Sequence, residues 1–277
     1  MTAAETLFGL AGRAALARLA KAPALLSFDL DGTLAPIVAQ RDEARVSAPT
    51  ATLMRALAQR WPVAVVTGRH VDDAAGRLGF TPRWLWGCHG AQRPVDDFDS
   101  AQDARCGQPI RPHSNSLQQG LDHCREHLAQ HAARLQARRV EVEDKGLSIA
   151  LHYRHADAAG TVVAWLDELI APVTQPAAPC GTRPNLRAEH GHRVLNLSAA
   201  AAPDKGDALL DLLALCRVDL ALVIGDDAND EPAFEKAPTA CVTIRIAPVG
   251  TPTRAQHRIS SQSRVDALLR FLLSLRR

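Results

Sequence analysis

"FDLDGTLAPI", residues 28–37, decides how this chain is read. It closes an apolar run that begins at Pro23, "PALLSFDLDGT", and sets Asp29 and Asp31 just past a buried strand. Two acids beside an apolar strand are costly unless a cation or hydrogen bonds meet them. At an extended strand end their side chains would share a face, but the Gly32 turn breaks that geometry. The chain can then offer one carboxylate and a neighbouring backbone carbonyl to a hard cation, and oxygen ligands of that kind suit Mg2+. A plain acidic turn is the bland alternative. A calcium loop of the EF-hand type fails on position, since it needs Gly sixth and Glu twelfth. Here Gly32 stands fourth and Gln40 twelfth.

Two further apolar runs end in the same manner. "PVAVVTGRH" (62–70) leads into "VDDAAGRLGF", and "VDLALVIGDDAND" (218–230) leads into "EPAFEKA". The first run itself continues through a proline-containing loop to the helical pattern "APTATLMRALAQR" (48–60). Apolar strands alternating with helices predict an α/β fold whose parallel sheet is covered on both faces. Ligands of such sheets bind beyond the carboxyl ends of the strands, so the three polar ends should converge on one crevice. Thr67, with Gly68 after it, can grip a phosphate oxygen through hydroxyl and amide, and Arg69 adds a cation. Asp226, Asp227, Asp230 and Glu231 repel one another unless something positive sits among them. Alone they read equally as metal ligands or as a solvated helix N-terminus. With Asp29 and Asp31 the metal reading is far stronger. "PDKGD" places Lys205 at a helix start, where an ammonium can neutralise both an aspartate and a bound phosphate.

The middle of the chain follows a different pattern. A charged helical segment (116–137) precedes alternating strands (138–154) with a turn at "DKG". A helix (157–171), a Pro-rich stretch (172–184) and a second hairpin (185–198), turning at His190 and Gly191, complete an antiparallel α+β insertion. The expected domains are a core over 1–108 and 199–277 and an inserted α/β cap over 109–198. His123, His127 and His131 recur at every fourth position of the charged helix, but the outer pair would lie ~12 Å apart along the axis. A solvated face is the expected role.

Composition narrows the partners. The 277 residues are 47% hydrophobic and 22% charged with a net charge of +2, which excludes a disordered chain and a general polycation. Neither nucleic acid nor an anionic membrane is therefore expected as a partner. No apolar stretch approaches the roughly 18 residues of a membrane span, and the N-terminal stretch lacks a basic region followed by a long apolar one. Six scattered cysteines without a CxxC pair predict free thiols in a reducing cytoplasm.

In order and spacing, "DLDGT", "VTG", "DK" and "GDDAND" resemble the four motifs of the haloacid dehalogenase superfamily of phosphatases. The resemblance implies a Rossmann-like core, Mg2+ dependence and an aspartyl-phosphate intermediate. It implies Asp29 as nucleophile and Asp31 as general acid/base, with Thr67 and Lys205 holding the phosphoryl group. Asp29, Asp31 and Asp226 would bind the metal, and Asp227 and Asp230 would support its waters and Lys205. Within the insertion, "VEDKGLSIALHYR" (142–154) is similar to a cap segment of trehalose-6-phosphate phosphatases, and "GCHGAQ" (87–92) resembles their "HGAE"-like loop. That likeness implies that Glu143, Lys145, His152 and Arg154 face the sugar, with Gly68, Arg69, His89, Gly90 and Asn196 also at the substrate. Without it, "EVEDKG" reads as a charged hairpin. Gln92 and Asn196 stand where that family usually has Glu, and both keep a hydrogen-bond acceptor while losing a charge. The expectation is a monomeric cytoplasmic enzyme acting on a small phosphorylated disaccharide.

Overall fold

The computed structural model describes residues 5–93, 115–156, 159–174, 186–191 and 193–275. Cys106, Cys180 and the Pro-rich stretch beyond Thr174 lie outside them. The chain divides into two compact units, Met1–Cys106 with Pro203–Arg277, and Gly107–Ala202.

The first unit is built on a seven-stranded, wholly parallel sheet. Its strands are β1 (Glu5–Thr6), β2 (Leu25–Phe28), β3 (Val63–Val66), β4 (Trp84–Trp86), β9 (Ala221–Gly225), β10 (Val242–Ile246) and β11 (His257–Ile259). Their spatial order is β1-β11-β10-β9-β2-β3-β4. The expected α/β class is correct, and β2, an interior strand between β9 and β3, is buried at all four residues. Leu26, Phe28, Leu222 and Ile224 face one core with α1 (Leu10–Leu19), α2 (Ala48–Ala58) and α9 (Val265–Leu275). Leu25, Ala221, Val223 and Trp86 face the other, under α7 (Lys205–Cys216) and α8 (Glu231–Lys236). Fully buried side chains such as Phe28 and Met54 contribute about 1.5–3 kcal/mol each. The helix α3 (Val71–Leu78) starts at an N-cap on His70 and ends on Gly79 at φ 65°.

Register aligns the strand ends. Phe28 lies opposite Val65 on β3 and Ile224 on β9. Asp29, Thr67 and Asp226 therefore leave the sheet side by side at its carboxyl edge.

The second unit is an antiparallel sheet in the order β5-β6-β8-β7, where β5 is Glu141–Asp144, β6 Ser148–His152, β7 Leu186–Gly191 and β8 Val194–Ala199. The helices α4 (Asn115–Gln130) and α6 (Ala159–Thr174) flank the short α5 (Ala132–Ala137) in the chain. Ile149, Leu151, Leu195 and Leu197 form its core with Leu121 and Leu128 of α4 and Leu166 and Ile170 of α6. The β7–β8 hairpin closes between Gly191 and Val194, beyond the expected turn at His190 and Gly191. The helical histidines also differ from expectation. His123, His127 and His131 are half-buried rather than solvated; His127 Nε2 lies 2.7 Å from the Leu169 carbonyl, and its ring packs 4.7 Å from that of His131. Cys88, Cys124, Cys216 and Cys241 are free thiols. Among the described residues no helix is long and apolar enough to cross a membrane.

Candidate active site

The site is assembled at the carboxyl edge of the core sheet. Asp29 leaves β2 with its amide donating to the Ile224 carbonyl at 3.0 Å, so the first acid is pinned to the neighbouring strand. Gly32 then turns the chain at φ 80°. A Cβ on Gly32 would lie 1.9 Å from Asp226 Oδ2, so only glycine lets the Asp226 carboxylate approach this loop.

Lys205 joins the two acidic ends. It opens α7 behind the N-cap Asp204, whose carboxylate accepts from the Gly206 and Asp207 amides at 2.8 and 2.9 Å. Lys236 of α8 grips both Asp204 oxygens at 2.9 Å and Asp207 at 2.8 Å, which fixes the start of α7. From there Lys205 Nζ donates to Asp29 Oδ1 at 2.5 Å and Asp230 Oδ1 at 2.6 Å. Burial pulls the ammonium down, but Asp230 and Asp29 outweigh it and hold its pKa above the usual range.

Asp230 is committed on both oxygens. Its Oδ2 accepts the amides of Asp226 and Asp227 at 2.9 and 3.0 Å, closing the acidic loop. Asp227 Oδ1 accepts the Ala228 amide at 2.8 Å. Glu231 leans away, paired with Arg245 at 2.8 Å and accepting the Arg254 amide at 2.7 Å. Arg245 also donates to the Asp227 carbonyl. Two cations, Lys205 and Arg245, thus meet Asp230 and Glu231 and leave Asp226.

Among the described residues, no cation is hydrogen-bonded to the Asp226 carboxylate, and Lys205 acts on it only at a distance. Its Oδ1 is buried with no hydrogen-bond partner, and oxygens of Asp29, Asp226 and Asp230 all lie within 4.8 Å of one another. Burial, then Asp29, Asp230 and Asp227, push its pKa up to about 9. Burial also pushes Asp29 up to about 7, against the pull of Lys205. An orphaned buried carboxylate oxygen beside a second carboxylate fits a hard divalent cation. The folded pKa of Asp226 exceeds its ordinary value of 3.8. Its stabilising effect is therefore complete below about pH 4 and lost as the pH climbs towards 9. Melting curves in chelator should show the wild type losing ground to Asp226→Asn over that range. Equal pH slopes for the two proteins would contradict this assignment.

Thr67 and its neighbours form a tight second loop. Thr67 is fully buried, and its Oγ1 accepts the Arg69 amide at 3.2 Å. The His89 amide donates to the Thr67 carbonyl at 2.9 Å, and the Cys88 amide to that of Arg69 at 2.9 Å. A Cβ on Gly68 would lie 2.5 Å from the His89 ring, so His89 packs directly on this turn. Gly90, at φ 98°, sits against Ala208 of α7. His89 and Gly90 thus pack against the Thr67–Gly68 turn and the start of α7.

Arg69 and Asp31 are paired with each other here. Arg69 is 3% exposed and its donors meet protein carboxylates. Its Nε and Nη2 reach the two Asp31 oxygens at 2.6 and 2.7 Å, and Nη1 reaches Asp73 at 2.8 Å. The Asp31 side chain is accordingly held by Arg69 and is absent from the acidic trio, where Asp230 stands instead. Asp73 in turn binds Arg77, and Arg77 and Arg69 hold its carboxyl down to about 2 against burial. Gln92 accepts the Val71 amide through Oε1 at 2.9 Å and meets His70 Nε2 at 2.7 Å, so this departure from the resembled pattern caps α3.

In the second unit, Glu143 accepts from His152 at 2.9 Å and lies 3.9 Å from Lys145. Asn196 stands on the same sheet face, two strands away through Ala150. Arg154 lies in the turn beyond β6, outside the ladder. Lys236 and Arg245 were not legible as site-supporting residues. Each acts through a contact between segments far apart in sequence.

A family model described as Trehalose-phosphatase matches residues 27–266. The chain belongs to the trehalose-phosphatase family. A trehalose-phosphate phosphatase of Mycolicibacterium paratuberculosis is 32% identical over 252 residues, covering 87% of this chain and 56% of that protein. An uncharacterized glycosyl hydrolase of Mycobacterium tuberculosis is 33% identical over 234 residues, covering 82% of this chain but 16% of that protein. The chain thus spans about half the length of the first of these relatives and about a sixth of the second. The C-terminal domain of a C. albicans trehalose-6-phosphate phosphatase superposes with a TM-score of 0.77 at 16% identity over 99% of both chains, which establishes the fold. The wholly parallel core sheet and the separate antiparallel unit agree with that fold, and the acidic trio offers oxygen ligands to a divalent metal.

Proposed function

We propose that this trehalose-phosphatase family member hydrolyses trehalose 6-phosphate to trehalose and phosphate in the cytoplasm, as a monomer dependent on Mg2+. The observation that carries this reading is the buried Lys205 ammonium shared between Asp29 and Asp230, beside the orphaned Asp226 oxygen. Phosphoryl transfer asks a protein for positioning and charge neutralisation above all, and this is what the cluster supplies.

Asp29 is the nucleophile. Its carboxylate oxygen attacks phosphorus, the sugar oxygen leaves, and water then hydrolyses the aspartyl-phosphate, so one hard displacement becomes two easier ones. Lys205 orients Asp29 and balances charge on the transferring group, while Asp230 keeps Lys205 and the 226–227 loop in place. Thr67 and the amides of its turn hold phosphate oxygens. Asp31 protonates the departing sugar oxygen and deprotonates the attacking water, and its carboxylate must turn from Arg69 to do so. The metal would sit on Asp29 and Asp226, with Asp31 contributing from the same loop, and supplies the positive charge that lets a carboxylate approach a phosphate dianion. Asp227 and Asp230 support that site from behind. In the cap, Glu143, Lys145, His152, Arg154 and Asn196 read the sugar. No nucleic acid or membrane enters this scheme.

Phosphate release measured over a panel of disaccharide and monosaccharide phosphates tests the assignment. Trehalose 6-phosphate should be strongly preferred, with turnover abolished by chelator and restored by Mg2+. Comparable rates on several unrelated disaccharide phosphates would sink the trehalose reading and leave a general sugar phosphatase.

A further inference from the structure

Asp31 is the first member of a chain of paired charges within the core unit. Arg69 donates from Nε and Nη2 to the two Asp31 oxygens at 2.6 and 2.7 Å, and from Nη1 to Asp73 Oδ2 at 2.8 Å. Asp73 lies on α3 and divides its carboxylate between two cations. Its other oxygen, Oδ1, accepts from Arg77 Nε and Nη2 at 2.8 and 2.5 Å. Arg77 is 8% exposed and donates onward to the Asp42 and Ala44 carbonyls at 2.7 and 3.2 Å. Asp73 is thus fixed by a buried guanidinium that is itself anchored to backbone.

The members of this chain differ in how freely they can move. The Asp31 side chain keeps 40% of its surface, whereas Arg69 keeps 3%. Of that pair, the carboxylate can turn while the guanidinium stays where packing holds it. The chemistry assigned to Asp31 demands such a turn, because its carboxylate must reach the departing sugar oxygen and then the attacking water. The turn takes a counter-charge from a buried cation, and a buried cation left without one is strongly disfavoured. Asp73 can stay on Nη1 throughout, since Arg77 holds it from the other side. A guanidinium already shared with a second carboxylate also attracts Asp31 less strongly.

We propose that Asp73 is a positioning residue for the reaction: it carries the charge of Arg69 while Asp31 turns to the reacting atoms. The proposal rests on the reading of Asp31 as general acid and base. Without the Asp73 charge, Arg69 keeps Asp31 as its counter-ion, and the steps that need Asp31 slow down. Asp73 itself touches neither phosphate nor sugar in this scheme.

Asp73→Asn in the full chain, assayed with Mg2+, tests it, since the amide keeps size and a hydrogen-bond acceptor and removes the charge. Two substrates separate the roles. With p-nitrophenyl phosphate, an Asp29 oxygen bonds to phosphorus and p-nitrophenolate leaves as a stable anion, so that step draws no proton from Asp31. With trehalose 6-phosphate the same bond forms, but the sugar oxygen leaves only as Asp31 gives it a proton. In the variant, kcat for trehalose 6-phosphate should fall about 10- to 100-fold, the effect of one charged hydrogen bond, with KM little changed. The kcat/KM for p-nitrophenyl phosphate, which reports the first displacement, should stay within about 3-fold of wild type. Asp73→Glu, which restores a carboxylate, should recover most of the lost turnover.

Wild-type turnover in Asp73→Asn overturns the proposal. An equal loss on both substrates, a chain that no longer folds, or a Glu variant as slow as the Asn variant also overturns it, because each marks a structural role. Asp31→Asn, run alongside, separates the two readings. If it too loses both substrates equally, the acid/base reading of Asp31 falls and takes the proposal with it. If Asp31→Asn shows the selective loss and Asp73→Asn does not, the proposal alone falls. Should the wild type prefer another sugar phosphate, the same comparison on that substrate decides, since every sugar oxygen needs the proton.

Discussion

Asp29→Asn is expected to lower phosphate release by at least ~10^4-fold at saturating substrate, the scale at which loss of a nucleophile is felt. The change keeps shape and removes only the attacking charge. Lys205 retains Asp230 at 2.6 Å, so the helix start stays anchored. Burial disfavours the ionised form of Asp29 in the folded chain, so the amide is accommodated and the melting temperature should hold or rise. Single-turnover assays on purified variant give the test. Wild-type turnover, or a burst of phosphate from the variant, would remove Asp29 from the chemistry.

Lys205→Met should produce the largest loss of stability. Lys205 is 4% exposed and is the cation hydrogen-bonded to both Asp29 and Asp230. Without it, the buried carboxylates of Asp29 and Asp230 and the half-buried one of Asp226 face one another. Removing one partner of a buried ion pair costs about 3–5 kcal/mol. In a chain of this size that corresponds to a melting temperature lower by about 10 °C. Turnover should vanish as well, because the phosphoryl group and Asp29 lose a shared counter-charge. Adding Mg2+ should recover part of the melting loss and none of the activity. Calorimetry of both proteins, with chelator and with Mg2+, decides the matter. Coincident melting curves in chelator would show that Asp29 and Asp230 find another cation.

Strand ends were the legible part of the molecule. "LLSF", "VAVV" and "ALVIG" are short and wholly apolar, and each is followed at once by its polar residues, so composition over a few positions predicted both sheet and site. The outer strands escaped because β4 and β11 have three residues each and β1 has two. Such short runs give no periodicity to read. Arg69 shows a different limit. A cation after Thr67 reads as a phosphate ligand, and nothing local shows that Asp31, 38 positions away, takes two of its donors. The register of the second sheet was illegible for a similar reason, as Glu189 shows. With the hairpin closing between Gly191 and Val194 it lies opposite Asn196, whereas a turn at His190 and Gly191 gives it a different partner.

By itself, then, the sequence determined an α/β core, three polar strand ends and an inserted α+β segment, because hydrophobic pattern and turn chemistry act over neighbouring residues. The tertiary structure alone decided how the charges are shared. Placing β9 beside β2 brings Asp226 against the Gly32 turn, and seating the start of α7 between those strand ends sets one ammonium between Asp29 and Asp230. The same folding commits Asp230 to the loop and Asp31 to Arg69, and leaves one Asp226 oxygen without a partner. Which acid meets which cation is a matter of ångströms between residues up to 176 positions apart, and only the packing of the whole sheet fixes distances of that kind.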